Sequence, residues 1–293
     1  MNSVLSSKKY IIFFVGPAFI LFLLFGLVPI VFNITLSFFK TNLMSPPVFV
    51  CFRNFTNLFN DPIFIRSLKN NLMMVAGSLL AHLPLALFLG TIIFHKIKGA
   101  KFFQSVFFLP SVIMGAAIGL TWSFIYNSEF GIVNSILKLL NLTQFTRGWL
   151  SEESTVIMAI IVVVMWQYVG YHMVIQIAAM RNIPGSLYEA AAIDGATKWD
   201  QFRLITFPLI RRILKIDAVL IITGSLKYFD LIFVMTGGGP NHASEVLSTY
   251  MFYQGFRTIK YGYASTIGTI LLLLCILAIA FSNIIFKSEK YEF

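Results

Sequence analysis

The sequence predicts an all-α, polytopic integral membrane protein with six transmembrane helices. Of its 293 residues, 58% are hydrophobic and 12% charged, with a mean hydropathy of +0.82. A soluble domain has roughly 25% charged and about 45–50% apolar residues. The apolar residues gather into six runs, each long enough to cross a hydrocarbon core. The 22 Lys and Arg residues lie almost entirely between those runs, at alternating density, as the positive-inside bias requires. The net charge of +10 therefore reflects membrane orientation, and with no basic stripe present no nucleic-acid partner is expected.

The first run, 11–32, is 22 residues without a charge, about 33 Å as a helix against a core of roughly 30 Å. Lys8 and Lys9 precede it, as they would in a signal peptide. It exceeds the usual apolar core of about 7–15 residues, however, and no convincing small-residue cleavage site follows. The remaining runs are 72–94, 102–126, 155–180, 216–236 and 264–286. All are read as helices, because open strands leave backbone groups unsatisfied in lipid. The connecting set that starts with the N-terminus holds 13 basic residues against 8 in the longer opposite set, so both termini are expected to be cytoplasmic. Trp149 and other aromatics in the outer loop 127–154 read as interfacial anchors. Cys51 falls in a loop and Cys275 deep in an apolar run, so no bridge between them is expected.

The long inner loop, 181–215, stands apart from the other, short inner connections. Ser186-Leu187-Tyr188-Glu189 fits the S/T-x-x-E capping pattern, and Ala190, Ala191, Ala192 and Ile193 extend a helix from it. Gly195 stands where a left-handed C-terminal cap needs a residue without Cβ. Thr197-Lys198-Trp199-Asp200 repeats the capping pattern and predicts a second helix that stops near Pro208. Leu187, Ala190, Ala191, Trp199, Phe202, Ile205 and Leu209 recur at near-helical spacing, leaving Glu189, Asp194, Asp200 and Arg203 to other faces. The pattern leaves two readings open: a small docking element with polar edges, or an amphipathic elbow on the inner membrane surface, which Arg211, Arg212 and Lys215 also suit.

Glu189-Ala190-Ala191, Gly195 after three residues, and Ile205-x-Phe207-Pro208 after nine more resemble the E-A-A-x3-G-x9-I-x-L-P signature of ABC importer permeases. The stretch from Tyr188 to Ala196 is similar to the carbohydrate-uptake class. Phe108-Leu109-Pro110, Trp122, Gly131-Ile132-Val133-Asn134, Ile183-Pro184, Thr236-Gly237-Gly238-Gly239-Pro240 and Gly262-Tyr263-Ala264 extend the resemblance along the chain. Their order resembles the first of the two permeases in sugar systems, the type of the larger maltose and glycerol-phosphate permeases. Phe207 in place of Leu, and Arg212 where many such permeases have Pro, are mild departures.

The resemblance implies a type I ABC importer transmembrane-domain fold. Residues 1–70 would hold an N-terminal cytoplasmic segment, the first helix and an outer loop. Residues 71–286 would form the permease core of five helices, with a cytoplasmic coupling elbow at 181–215, and 287–293 a cytoplasmic tail. Glu189, Ala190, Ala191, Asp194, Gly195, Ile205 and Pro208 would couple to an ATPase. It also implies a second homologous permease, two ATPase subunits that bind ATP and Mg, and an extracellular solute-binding protein that delivers a sugar. The setting would be a bacterial inner membrane. The residues agree on the division of labour: no G-x-x-x-x-G-K-[ST] phosphate loop is present, so no cofactor or metal is expected in this chain.

Inside the spans, Lys227 and Asp230 sit three apart, on one face of a continuous fifth helix. They could line the solute path or form a structural ion pair facing the partner permease. Trp166, Gln167, Tyr168 and Tyr171 combine rings with an amide, which suits the faces and hydroxyls of a sugar; helix packing explains them as well. The solute-path set is Gln167, Tyr168, Lys227 and Asp230. His82 and His172 read as packing residues, neither having an acidic cluster nearby in sequence. Gly115-x-x-x-Gly119 allows close helix approach, and Gly237-Gly238-Gly239-Pro240 reads as a turn.

The function expected is translocation of a sugar or oligosaccharide by alternating access, without covalent chemistry in this chain. An ion-coupled secondary transporter is the alternative; it needs a midplane carboxylate and usually repeated halves, and only Asp217 and Asp230 lie near such depth. A membrane enzyme would need a clustered nucleophile, metal ligands or an acid–base pair, and the sequence offers none. Neither rival requires the inner elbow.

Overall fold

The computed structural model describes residues 8–42, 44–95 and 97–285. Apart from a two-residue antiparallel hairpin, β1 (Phe39–Lys40) with β2 (Val48–Phe49), the described elements are all helices. In chain order they are α1 (Lys8–Phe22), α2 (Val28–Leu36), α3 (Arg53–Phe59), α4 (Pro62–Phe94), α5 (Ala100–Phe108), α6 (Gly115–Ile125) and α7 (Ile132–Leu139). There follow α8 (Val156–Arg181), α9 (Gly185–Ile193), α10 (Lys198–Gln201), α11 (Phe207–Leu226), α12 (Asp230–Met235), α13 (Leu247–Phe252) and α14 (Tyr261–Ile285). The expected tail at 287–293 lies outside the described residues, as does Phe286 at the end of the sixth run. The chain forms two compact units: residues up to Asp61 with Tyr250–Ile270, and Pro62–Thr249 with residues from Leu271 onward.

In the first unit, α1 continues into α2 through one π turn, Leu23–Leu27. Pro29 stands at the start of α2, where its missing amide falls beside the wide turn rather than in a regular ladder. None of the most apolar window of this span is buried by the chain itself, so its side chains are left to lipid or another subunit. The end of the span is tied down by polar side chains. Asn54 Nδ2 donates to the carbonyls of Ser37 and Phe39 at 2.9 and 3.0 Å, and Thr266 Oγ1 of α14 donates to the Ser37 carbonyl at 3.2 Å.

In the second unit, α8 is the most enclosed span and packs against α4, α5 and α11. One core cluster joins Met74 of α4, Ile118 of α6, Ile160 and Val164 of α8, and Leu231 and Ile232 of α12. A second joins Ala86 and Ile93 to Val169, Met173 and Ile177. Glycines permit the closest approaches. A Cβ at Gly119 would stand 3.1 Å from the Leu231 carbonyl oxygen, so the Gly115/Gly119 spacing does allow α6 and α12 to meet closely.

Among the described residues, four helices are long and apolar enough to cross a membrane: Ile12–Leu36, Pro62–Phe94, Val156–Arg181 and Tyr261–Phe281. Two of the six predicted runs are not single straight helices. Run 102–126 is bent by 98° between Ala100–Val112 and Gly115–Ile125. The cause is local: Pro110 opens a 3-10 turn and Ile113 and Met114 are extended, which ends the hydrogen-bond ladder. Run 216–236 divides into α11 and α12 at Lys227–Phe229. α11 also begins well before residue 216 and carries Arg211, Arg212, Lys215 and Asp217 in its first three turns, a charge density unlike that of the four apolar spans.

Candidate functional site

The elbow is built by α9, a glycine turn and α10. Pro184 supplies the N-cap of α9 with no side-chain bond, so the capping box expected at Ser186 and Glu189 does not form; the fixed φ of Pro184 starts the helix two residues earlier. α9 ends as expected. Gly195 has φ +82°, and the amides of Gly195 and Ala196 return to the carbonyls of Ala192 and Ala191 at 3.1 and 2.9 Å, a Schellman cap. The second capping box is present, with Thr197 and Asp200 exchanging side-chain and backbone bonds. Those bonds hold the Asp200 carboxyl below its ordinary range, the Thr197 side chain contributing most.

The second helix does not stop at Pro208. A π turn, Phe202–Thr206, joins α10 to α11, and Pro208 sits in the first turn of α11, where a missing amide is tolerated. The elbow is therefore continuous with α11. Tyr188 fastens it: its hydroxyl lies 2.9 Å from Thr206 Oγ1, and its ring centroid 5.9 Å from that of Phe94 at the end of α4. Glu189, Ala190, Asp194, Gly195 and Pro208 are exposed, and Ala191 and Ile205 are half-buried. Ile193 is 88% exposed and Trp199 66%, and a Cβ at Gly195 would meet nothing within 4 Å. The elbow thus presents a free apolar and acidic surface around its turn.

A second feature is a cavity of about 400 Å³ lined by Tyr168, Tyr171 and His172 of α8, by His82 of α4, and by Lys227, Tyr228 and Asp230 at the break between α11 and α12. The break leaves terminal carbonyls of α11 without helical partners. Asn71 meets this need, with Nδ2 3.4 Å from the Ser225 carbonyl and 3.1 Å from that of Leu226, while its Oδ1 accepts from the Leu247 amide at 2.7 Å. Lys227 and Asp230 therefore do not share a helical face: Lys227 caps α11 and Asp230 opens α12. No ion pair joins them among the described residues. The Asp230 carboxylate instead lies over Gly115 at the start of α6, where a Cβ would stand 2.2 Å from Oδ2.

Of the four predicted solute-path residues, the structure brings Tyr168, Lys227 and Asp230 together. Gln167 is buried away from the cavity, its Nε2 3.4 Å from the Ile113 carbonyl. Sequence reasoning missed the buried polar cluster behind His172. His172 Nδ1 is 2.7 Å from Asp217 Oδ1, and Gln176 Nε2 donates to Asp217 Oδ2 at 2.7 Å. The His82 and His172 rings are 5.0 Å apart. His172 and Gln176 lie four apart on one helix, a spacing that marks a shared face, but their acidic partner is 45 positions from His172.

Near the start of α4, Arg66 pairs with Glu153 of the loop before α8, and Asn241 bonds both residues; the Arg66 bond and then that of Asn241 lower the Glu153 carboxyl below its ordinary range. Trp149, read as an interfacial anchor, donates Nε1–H to Asn134 Oδ1 at 2.9 Å and packs against the core cluster that joins α4, α6, α8 and α12.

The family described as "Binding-protein-dependent transport system inner membrane component" matches residues 6–290. The chain is 39% identical over 282 residues to the probable ABC transporter permease protein YurN of Bacillus subtilis, covering 95% of this chain and 96% of that one. It is 33% identical over 270 residues to the diacetylchitobiose uptake system permease protein NgcF of Streptomyces coelicolor, covering 88% and 76%. A crystal structure of a bacterial alginate ABC transporter, in complex with an alginate pentasaccharide-bound periplasmic protein, contains a chain that superposes with TM-score 0.80. The identity there is 26%, with 94% and 95% of the two chains covered.

Proposed function

The chain belongs to the binding-protein-dependent transport system inner membrane components, and from that premise we propose that it is the first permease of an ATP-driven importer for a sugar or oligosaccharide. It is a transport subunit of an inner membrane, and the comparisons give no support to ion coupling. Two of the similar proteins are named for diacetylchitobiose and alginate, which supports a saccharide cargo. An extracellular binding protein delivers that cargo, a second homologous permease completes the pathway, and two ATPase subunits bind ATP and Mg. Both termini are cytoplasmic, so the elbow at 181–215 faces the ATPase.

The observation that carries this reading is the elbow. Its signature residues cluster around one left-handed turn with none of them buried, and the space around Gly195 is open, as a segment that enters another protein's cleft requires. Continuity from α10 into α11 gives ATPase closure a direct route to the cavity at Lys227 and Asp230. Tyr168 and these two residues line the solute path, and Gln167 supports its wall.

The test is purification of the tagged chain from bacterial membranes, followed by cysteine cross-linking from position 193. The expected result is copurified second permease and ATPase, a 193-to-ATPase cross-link, and ATP-dependent uptake of a labelled oligosaccharide in proteoliposomes supplied with the binding protein. Purified chain that carries no ATPase, or uptake that persists without ATP and follows an ion gradient, would overturn the reading.

A further inference from the structure

We propose that His172 contacts the transported solute through Nε2, donating to or accepting from a saccharide hydroxyl, and that Asp217 is the positioning residue that aims it. This rests on the sugar-importer reading above. Asp217 is fully buried, and as a carboxylate it can only accept. Both of its oxygens are engaged, Oδ1 by His172 Nδ1 and Oδ2 by Gln176 Nε2, each at 2.7 Å. Nδ1 of His172 therefore carries a hydrogen, and the ring is held at a fixed angle between α8 and α11.

That leaves Nε2. His172 lines the cavity while Asp217 does not, and Nε2 has no partner among the described residues. In the neutral ring Nε2 accepts, and in the imidazolium it donates; a hydroxyl serves either state, whereas a carboxylate or an ammonium serves only one. The surroundings suit the rest of a sugar ring. Tyr168 and Tyr228 stand with centroids 6.0 Å apart on the same cavity, offering faces to its C–H surfaces. The neighbouring His82 does not compete for the position: its Nε2 is 3.2 Å from the Val164 carbonyl, and its second nitrogen, Nδ1, has no partner but is buried rather than open to the cavity. A purely structural clamp would need Asp217, Gln176 and one ring nitrogen; it gives no reason to turn the second nitrogen toward a cavity.

Three variants separate contact from clamp. In His172→Asn the amide nitrogen overlays Nδ1, which keeps the bond to Asp217 and removes Nε2. In Asp217→Asn an oxygen acceptor for Nδ1 is retained, and the new amide can donate to Gln176 Oε1, which is otherwise unpartnered, once that amide flips. Asp217→Leu removes the acceptor altogether. Each is assembled with the parental partner subunits in proteoliposomes, and uptake of labelled maltose, lactose and diacetylchitobiose is measured per assembled complex, beside ATPase stimulation by loaded binding protein.

We expect H172N and D217L to import about five- to tenfold more slowly per complex, the order expected for one lost hydrogen bond, with ATPase stimulation kept. D217N should stay within about twofold of parental. If H172N imports within about twofold of parental, or if losses merely track the amount of assembled complex, the assignment is overturned while the importer reading stands. A parental complex that imports none of the three sugars overturns the sugar reading and this assignment with it.

Discussion

At Gly170 the backbone of α8 lies so close to α5 that a Cβ would stand 1.8 Å from the Phe107 carbonyl oxygen. Backbone cannot yield as a flexible side chain does, so Gly170→Ala should destabilise the second unit by roughly 1–3 kcal/mol, the usual range for overpacking. Gly185→Ala, where nothing lies within 4 Å, should stay within about 0.5 kcal/mol of parental. Thermal unfolding of the two purified variants in one detergent checks both, and equal midpoints would contradict the packing. Gly195 differs from either, having open space but φ +82°. Gly195→Val should cost roughly 1–2 kcal/mol of left-handed strain and leave insertion intact while ATP hydrolysis loses its link to uptake. Gly195→Ala should act in the same direction but more weakly. The role of Gly195 as a cap was legible because helix former, glycine and capping residue follow one another in sequence. Gly170 and Asp217 were not, because each acquires its partner only when helices distant in sequence meet.

Local chemistry competes at the level of helices and turns, and the winner was not always the more familiar motif. Thr197 and Asp200 form their capping box, whereas Pro184 pre-empts the one expected from Ser186 and Glu189. The Asp200 carboxyl is held low by Thr197, so its contribution to α10 is present above the unfolded Asp range near about 4 and is lost as pH falls through the lowered folded value. Thr197→Val should therefore reduce hydrogen-exchange protection of the α10 amides at neutral pH, and the difference from parental should shrink in acid below that value to the part carried by the Asp200 N–H bond to Thr197 Oγ1; a pH-independent difference would contradict the box. The break after α11 was hidden for another reason. Hydropathy records composition, and 216–236 stays apolar through a fold in the backbone that Asn71 stabilises from another helix. Because Lys227 and Asp230 flank that break without pairing, Lys227→Met and Asp230→Asn should lower the amount of assembled complex additively, within about 0.5 kcal/mol. Recovery in the double variant would reveal an ion pair.

Across the whole molecule, composition was enough to predict an all-α membrane protein, but it could not distinguish a straight span from a bent one. Among the described residues four spans are unbroken, and the runs at 102–126 and 216–236 are interrupted, so the number of crossings depends on where the ends of the interrupted runs lie. The elbow and α11 decide the second of these. From Lys198 through the π turn to Leu226 the chain is continuously helical, about 1.5 Å per residue, which reaches across most of a bilayer. If the basic cluster at Arg211, Arg212 and Lys215 marks the inner side, position 198 must be cytoplasmic and Asn241, beyond the break, external. Cys51 is exposed and free and lies in an expected outer loop, so it must be replaced first. In a C51S C275S background, a membrane-impermeant maleimide should label a cysteine at Asn241 in intact cells. The same reagent should reach a cysteine at Lys198 only after permeabilisation, whereas the parental protein should label at Cys51 without it. Labelling at 198 in intact cells would remove the elbow from the side where ATP is held, and the coupling assignment with it. Failure to label at 241 in an otherwise accessible protein would instead mean that α11 and α12 turn back at Lys227 without completing a crossing.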